Sequence, residues 1–301
     1  EQGLSSTLED AAARQVRGYW PTPINGTENG KKRHFFAPIG SGAGGSSVFY
    51  GAALERFECH DFEHSERYPH PVGGWPVEYD AFLPYYRKAE ELFQVRGTVD
   101  PLNPTDNEQL LPAPPLSISD RSLMNQMQKN GLNPYRLHVG FQYKNGCLEC
   151  VGHKRPRACK ADARNTGLQP ALQSGNAVFA GGCRVRRLHG TRKQINQVEV
   201  VRNGHRFMVK AGLVILAAGA YSSPRILLAS QNDVWPNGCA NSSDMVGRNL
   251  MFHVSDLVAV FPKGKHENIG PSKTLAFRDF YNVDGRRLGS FQSMGRVAGY
   301  G

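Results

Sequence analysis

The sequence has few cysteines, no long hydrophobic run and no internal repeat or low-complexity tract. Six cysteines among 301 residues do not indicate a disulfide scaffold. The longest apolar run, Leu213 to Ala218, is far shorter than the roughly 20 residues of a membrane-spanning helix. The chain is instead long enough for a sizeable core, in two domains or in one domain with a large insertion.

Acidic residues are also under-represented. Lys and Arg outnumber Asp and Glu by 36 to 26, which gives a net charge of +10. Such an excess is compatible with nucleic acid, an anionic surface or an anionic cofactor as partner. The basic residues are scattered rather than arranged in a stripe, so we interpret most of them as solvated surface.

Neither end of the sequence carries a recognisable terminal element. The chain begins with Glu1, has no charged segment followed by an apolar stretch, and stops at Tyr300-Gly301 without a capping element. We expect a fragment that lacks both ends of the full protein, with any targeting peptide absent or removed.

A glycine-rich segment covers Gly40 to Ser47. A predicted strand, His34 to Pro38, precedes it, and a predicted helix, Val48 to Arg56, follows it. Ser46 occupies the position where a P-loop needs Lys, which excludes that motif. No second strand ends in an acidic residue about twenty residues further on, so an ADP-binding turn is not favoured either. A backbone nest around an anion remains, beside the alternative of a glycine turn without ligand.

The region from 177 to 230 has the clearest pattern. Segments 184–188, 195–202 and 206–210 alternate with a period of two, and Asn203-Gly204 predicts a tight hairpin turn. The apolar segment Leu213 to Ala217 does not alternate, which predicts a strand buried on both faces, as in a parallel sheet. Ser223 and Pro224 predict the start of a helix that runs to Ser230.

Elsewhere the patterns predict mainly helices and loops. We expect a helix over Ser6–Arg17, a loop over Pro21–Lys32, and a second helix over Pro84–Phe93. The aromatic stripe of the second helix favours core packing over cofactor contact. A further helix is predicted over Arg121–Asn130 and is ended by Gly131. Asp279 to Tyr281 and Leu288 to Phe291 are expected to begin strands of a substrate-side sheet.

Four motifs in fixed order resemble the glucose-methanol-choline (GMC) flavoprotein oxidoreductases. They are Gly44-Gly45-Ser46-Ser47 with Gly51; Gly74-Trp75-Pro76 with Tyr79-Asp80, Tyr85-Tyr86 and Glu90; Gly219 to Pro224 with Leu227, Leu228 and Ser230; and Val246 to Leu250 with His253. The resemblance covers most of the chain. It implies an α/β, glutathione-reductase-like FAD-binding domain with an inserted antiparallel meander, plus part of an α+β substrate domain.

The resemblance also implies a cofactor site made from separate segments. Residues expected to contact FAD are Gly44, Gly45, Ser46, Ser47, Tyr50, Gly51, Val185, Ala218, Gly219, Ala220 and Asn249. The positive end of the helix at Pro224 would face the same region. His253 is more consistent with packing than with a cofactor contact.

Some positions depart from the family pattern. The family's ADP-binding turn would precede residue 1, and its catalytic histidine would follow residue 301, so no catalytic base is assigned. Tyr50 stands where many members have Asn beside the flavin ring. Phe49 stands where some members carry a flavin-linked His, so noncovalent binding is expected. Gln231 replaces the usual glycine after Ser230.

A cysteine-rich segment admits several interpretations. Cys147, Cys150 and Cys159, with His153, resemble half of a metal or iron–sulfur site. An iron–sulfur cluster would favour a dehydrogenase over an oxidase, but packed thiols or a disulfide are favoured over a cluster. The alternative function is a basic zinc module that binds nucleic acid. It leaves the apolar strand at 213–217 without a purpose.

The sequence therefore predicts a GMC-type enzyme that oxidises an alcohol or sugar CH–OH group by hydride transfer to flavin N5, with dehydrogenase favoured over oxidase. Its partners would be a small alcohol or sugar and an electron acceptor, with no nucleic acid and no membrane span. Residues 34–56 and 160–255 are assigned to the FAD domain, 57–159 and 256–301 to the substrate side, and 1–33 to an N-terminal helix and loop. Substrate, oligomeric state and compartment stay open, since the two glycosylation sequons, at Asn25 and Asn241, are no more than chance would give.

Overall fold

A computed structural model describes residues 11–103, 110–144, 159–258, 271 and 273–294. The chain forms two compact units. Unit 1 comprises Glu1–Ala177 and Pro262–Gly301, and unit 2 comprises Val178–Phe261. Both mix helices with small sheets of two or three strands. None of the helices in the described ranges combines the length and apolarity needed to cross a bilayer.

Unit 1 contains most of the secondary-structure elements. They are α1 Ala11–Arg17, β1 Ile24–Glu28, β2 Lys31–Phe35, α2 Cys59–Phe62, α3 Tyr79–Phe93, β3 Arg96–Gly97, β4 Leu111–Pro112, α4 Ile118–Lys129, β5 Tyr135–Arg136, α5 Gln169–Gln173, β9 Leu275–Phe277, β10 Asn282–Val283, β11 Arg286–Arg287 and β12 Phe291–Gln292. A 3-10 turn over Gly45–Val48 and a π-helical turn over Arg164–Leu168 complete it. Its core surrounds the sheet β12–β9–β5.

The predicted loop over Pro21–Lys32 is wrong, because β1 and β2 form an antiparallel hairpin there. Asn29 and Gly30 connect them with φ of 49° and 77°, the left-handed geometry of a tight hairpin turn. The predicted strand at 34–38 coincides with β2 only at its first two residues. Asn29-Gly30 is itself the sequence signal of such a turn.

Helix α3 begins five residues before the predicted start. Tyr79, only 5% exposed, and Phe82 pack their rings on Phe62, and this contact stabilises the earlier first turn. The predicted core role of the aromatic stripe holds only in part: Tyr85 is 67% and Leu92 53% exposed, whereas Tyr86 packs on the rings of Tyr79 and Phe82.

Unit 2 contains the meander β6 Arg184–Gly190, β7 Ile195–Arg202 and β8 His205–Lys210, followed by α6 Gly219–Ala229. The antiparallel pairing and the left-handed Asn203-Gly204 turn confirm the prediction for this region. A small core forms where Leu188 of β6 meets Trp235 and Cys239, with Ile226 and Leu227 of α6 against it.

The strand predicted over Leu213–Ala217 is absent. Leu213 and Ile215 are 78% and 79% exposed, and no strand among the described residues pairs with this segment. Burial on both faces requires neighbouring strands, which the described part of the chain does not provide. Helix α6 begins at Gly219 rather than Pro224, and the Ser223 hydroxyl accepts a hydrogen bond from the Ala218 amide, 3.1 Å away.

Candidate cofactor-binding site

The glycine loop, defined here as residues 40–51, lies in unit 1. The strand–turn–helix arrangement predicted for it is wrong, because the helix that should follow the turn does not form. Only the 3-10 turn forms, because Ala52 adopts a left-handed φ of 56° and Ala53 then pairs with Val139. The predicted helix over Val48–Arg56 is therefore replaced by a turn and extended chain that reaches the core of unit 1.

Close backbone packing explains the glycines of this loop. A Cβ atom on Gly40 would lie 2.3 Å from the Gly45 carbonyl oxygen, and one on Gly44 would lie 2.7 Å from Val48 Cγ2. Gly44 and Gly45 also have left-handed φ values of 86° and 54°. The loop folds back on itself so tightly that a side chain at Gly40 would displace backbone.

The two serines hold the loop in shape. Ser46 Oγ accepts a hydrogen bond from the Gly40 amide at 3.0 Å. Ser47 Oγ donates to the Gly44 carbonyl at 2.6 Å and accepts from the Ala163 amide at 3.0 Å. Ser47 is thus engaged as donor and acceptor inside the protein, whereas Ser46 is exposed and only accepts.

The loop provides bare backbone of the kind that an anionic or polar group of FAD requires. Among the described residues, no group accepts a hydrogen bond from the amides of Gly42, Ala43 or Gly44. Consecutive amides in a turn with left-handed residues form a concave donor surface for anions. The geometry of the loop thus fits FAD, although it differs from the strand–turn–helix expected from the sequence.

Tyr50 is fixed from a distant part of the chain. Its hydroxyl donates a hydrogen bond to the Ala161 carbonyl, and Lys160 Nζ donates to the Tyr50 carbonyl at 3.0 Å. Burial, and then the carboxylate of Asp162, raise the pKa of Tyr50, so the phenol stays neutral and keeps its proton for this bond. Sequence reasoning missed these partners, because more than a hundred residues separate them from the loop and no motif marks them.

Asp162 shapes the segment that braces the loop. It is 2% exposed, and its carboxylate accepts hydrogen bonds from the amides of Arg164 and Asn165 at 2.8 and 3.1 Å. The Arg164 guanidinium lies 3.2 Å from the same carboxylate. This Asp turn positions Ala163, whose amide reaches Ser47, so residues 160–163 act on the glycine loop at two points.

The remaining predicted cofactor residues lie in unit 2. Val185 belongs to β6, next to a β-bulge, and is 37% exposed. Ala218 is the N-cap of α6, and Gly219 and Ala220 form its first turn, so the positive end of this helix lies at Gly219 rather than at Pro224. Asn249 is exposed in a left-handed conformation with a φ of 55°. That these residues and the glycine loop hold one FAD stays a prediction.

A charged cluster that the sequence did not indicate is buried in unit 1. Arg278, 8% exposed, lies 3.2 Å from both Glu55 and Glu58 and 3.8 Å from Asp100. Burial alone would lower the pKa of Arg278, but Tyr135 and the three carboxylates outweigh it and raise that pKa. These groups come from four distant segments, so no local pattern could reveal them.

Burial raises the pKa of Glu58, with a smaller contribution from Asp61 and Asp100, and the nearby Arg278 charge offsets only part of this rise. Three carboxylates share one guanidinium. The charge of Arg278 is therefore stabilised by all three, whereas each carboxylate is stabilised only by its share of a single positive charge. Arg56 and Glu90 form a second buried pair beside it. Both sets tie Glu55–Glu58 to the rest of unit 1, directly after the glycine loop.

The cysteine-rich segment is only partly described. Cys147, Cys150 and His153 lie outside the described residues. Cys159 is a free cysteine directly before residues 160–163, which brace the glycine loop. Within the described ranges, no group of His, Cys, Asp or Glu side chains could hold a metal ion. His253, the other uncertain candidate, is exposed. The zinc-module alternative gains no support.

Comparison with known proteins decides the family. The sequence model of the GMC oxidoreductase family matches residues 4–255 of this chain. The chain belongs to the GMC oxidoreductase family. This match confirms the resemblance read from the four motifs. GMC oxidoreductases typically bind FAD, and the relatives of this chain include both oxidases and dehydrogenases.

Two curated GMC relatives and one solved structure show the extent of the similarity. The chain is 28% identical over 265 residues to 6'''-hydroxyparomomycin C oxidase of Streptomyces lividus, covering 80% of this chain and 48% of that protein. It is 26% identical over 226 residues to the fructose dehydrogenase large subunit of Gluconobacter japonicus, covering 70% and 41%. The crystal structure of pyridoxine 4-oxidase from Mesorbium loti matches with a TM-score of 0.46 and 21% identity, covering 75% of this chain and 44% of that one. The chain spans about half the length of the curated relatives it matches.

Proposed function

We propose that the protein is an FAD-dependent oxidoreductase that oxidises the CH–OH group of a small alcohol or sugar. The observation that carries this proposal is the GMC family match over residues 4–255. Relatives named as oxidases or dehydrogenases, one of them acting on fructose, support the reaction class. The isoalloxazine of bound FAD would supply the redox chemistry, accepting hydride from the alcohol carbon.

This chain would hold the cofactor through backbone. Gly44 to Ser47 and Gly51 would present amides and bare Cα atoms, and Tyr50, fixed by residues 160–163, would keep the end of the loop in place. The residues of unit 2 that we expect to contact FAD are Ala218 to Ala220, at the positive end of α6, with Val185 and Asn249. We propose that residues 34–56 and 160–255 form a glutathione-reductase-like FAD-binding domain.

FAD is proposed to bind noncovalently. Phe49 offers no nucleophile, and its ring is buried and stacked on Tyr19, with centroids 4.3 Å apart. Denaturing and filtering the purified protein should therefore release all of the flavin. Yellow colour that stays with the denatured chain would contradict this part of the proposal.

We propose a dehydrogenase in preference to an oxidase, and the fructose dehydrogenase relative supports that choice. With a panel of primary alcohols, secondary alcohols and sugars, substrate should bleach the flavin bands without oxygen and reduce an added dye. Stoichiometric hydrogen peroxide in air would instead identify an oxidase. Iron and sulfide analysis of the same sample tests the cluster at Cys147, Cys150 and Cys159.

The glycine loop provides the direct test of cofactor binding. Gly40→Ala should weaken FAD binding at least tenfold, about 1.4 kcal/mol, because the added Cβ collides with the Gly45 carbonyl. Gly26→Ala is the matched control, since nothing lies within 4 Å of its added Cβ. Titration of the apoprotein with FAD, followed by flavin fluorescence, measures both dissociation constants. Equal affinities in the two variants would exclude the loop from the cofactor site.

A further inference from the structure

A buried lysine lies against the end of the glycine loop. Lys273 is only 6% exposed, and its Nζ atom occupies the space beside Gly51 where a Cβ would point, 2.2 Å from that position. Any residue larger than glycine at 51 would have to push the ammonium group aside. No local pattern indicates this approach, because 222 positions separate the two residues.

The backbone around Lys273 fixes its position. The Thr274 carbonyl accepts a hydrogen bond from the Leu137 amide at 3.0 Å, and the Thr274 hydroxyl donates to Asp120 at 2.6 Å. Strand β9, which begins at Leu275, lies in the centre of the sheet of unit 1. The lysine therefore extends from a rigid part of the core rather than from a surface loop.

The charge of Lys273 acts in a poorly solvated place. Electrostatic interactions strengthen as water is excluded, so a buried ammonium exerts more influence on a neighbouring charge than an exposed one does. Lys160, the other lysine at this end of the loop, donates its ammonium to the Tyr50 carbonyl. The Lys273 ammonium lies instead on the side-chain face of Gly51.

We propose that the positive charge of Lys273 stabilises the reduced form of a flavin ring held at Gly51, which makes Lys273 a positioning residue for the flavin. This inference rests on the proposed function, which places FAD on the glycine loop. A flavin that takes up two electrons with one proton becomes an anion. A fixed cation beside it favours that anion over the neutral oxidised ring and raises the midpoint potential.

Lys273→Met tests the proposal, because methionine keeps much of the side-chain length and removes the charge. Reduction of the bound flavin should become at least tenfold less favourable, which for two electrons is a decrease of about 30 mV in midpoint potential. Affinity for sulfite, which also forms an anionic flavin adduct, should fall in parallel. Lys129→Met is the matched control, since Lys129 is exposed in the last turn of α4. Spectroelectrochemistry of the flavin-loaded protein measures these potentials.

A second variant covers the case in which Lys273→Met does not fold. Gly51→Ala keeps the lysine charge but displaces the ammonium, and should lower the potential by a smaller amount. If either variant folds and its midpoint potential is unchanged, as in the control, the proposed role of Lys273 is wrong. The proposed function is not affected by that result. Wild-type protein that binds no flavin overturns the proposed function, and this inference falls with it.

Discussion

The two units of the molecule bury different kinds of side chain. In unit 1, Arg56, Glu90, Asp100, Lys273 and Arg278 are all less than 10% exposed. In unit 2, the core is the small apolar cluster around Leu188, while Val254 is 99% exposed. Buried charged pairs fix the relative positions of distant segments of unit 1. A site built from residues far apart in sequence depends on such fixed positions. Unit 2 depends instead on a meander and one helix that are close in sequence.

The largest effect is expected from a mutation that breaks the charge cluster of unit 1. Arg278→Met leaves Glu55, Glu58 and Asp100 without their shared cation, so the free energy of unfolding should fall by about 3–5 kcal/mol. Arg286→Met, at an exposed site, should change it by less than about 0.5 kcal/mol. Urea unfolding with hydrogen exchange read separately for peptides of each unit measures both. Equal effects in the two variants would show that buried charge does not hold unit 1 together.

An intermediate effect is expected in the apolar core of unit 2. Leu188→Ala removes a 4% exposed side chain and should destabilise this unit by about 2–3 kcal/mol. Leu213→Ala is the matched control, because Leu213 is 78% exposed and should tolerate the change within about 0.5 kcal/mol. Hydrogen exchange over β6–β8 reports on both. A large effect at Leu213 would show that the segment 213–217 is buried after all.

The smallest expected effect is a pH dependence confined to unit 1. His60 lies against the rings of Tyr68 and Tyr281, and burial lowers its pKa from 6.5, although Asp61 acts in the opposite direction. The unfolded chain binds the proton more readily than the folded chain does. Stability should therefore decrease as the pH falls below about 6.5, and stop decreasing once it passes the folded-state pKa.

His60→Phe keeps the ring contacts and removes the titration, so the variant should lose part of this decrease. Calorimetric scans between pH 7 and pH 5 compare the two proteins. The same slope in both would show that the decrease comes from other groups, such as the buried carboxylates.

Sequence patterns predicted local structure well where neighbours in the chain determine it. Alternation and the Asn203-Gly204 turn were sufficient for the meander, because each strand pairs with the next. The four GMC motifs likewise identified the family. The apolar segment 213–217 shows the limit of this reasoning, since burial on both faces needs neighbouring strands and none in the described part of the chain pairs with it.

The candidate site was predicted less completely than the family. Local composition favoured a helix after Ser47, but the left-handed Ala52 and the pairing of Ala53 with Val139 end it at once. The braces Lys160 to Ala163, the Arg278 cluster and Lys273 depend on contacts across more than a hundred residues. No spacing rule within one sequence encodes such contacts.

The bonds from residues 160–163 to Tyr50 and Ser47 set an order of events during synthesis. A nascent chain that has been made only as far as residue 150 contains every glycine of the loop but none of these partners. The braced form of the loop can arise only after residues 160–163 have been made and fold back onto it. Capture of flavin by the nascent chain would accordingly be a late step, and premature termination before residue 160 would release a product with an unbraced loop.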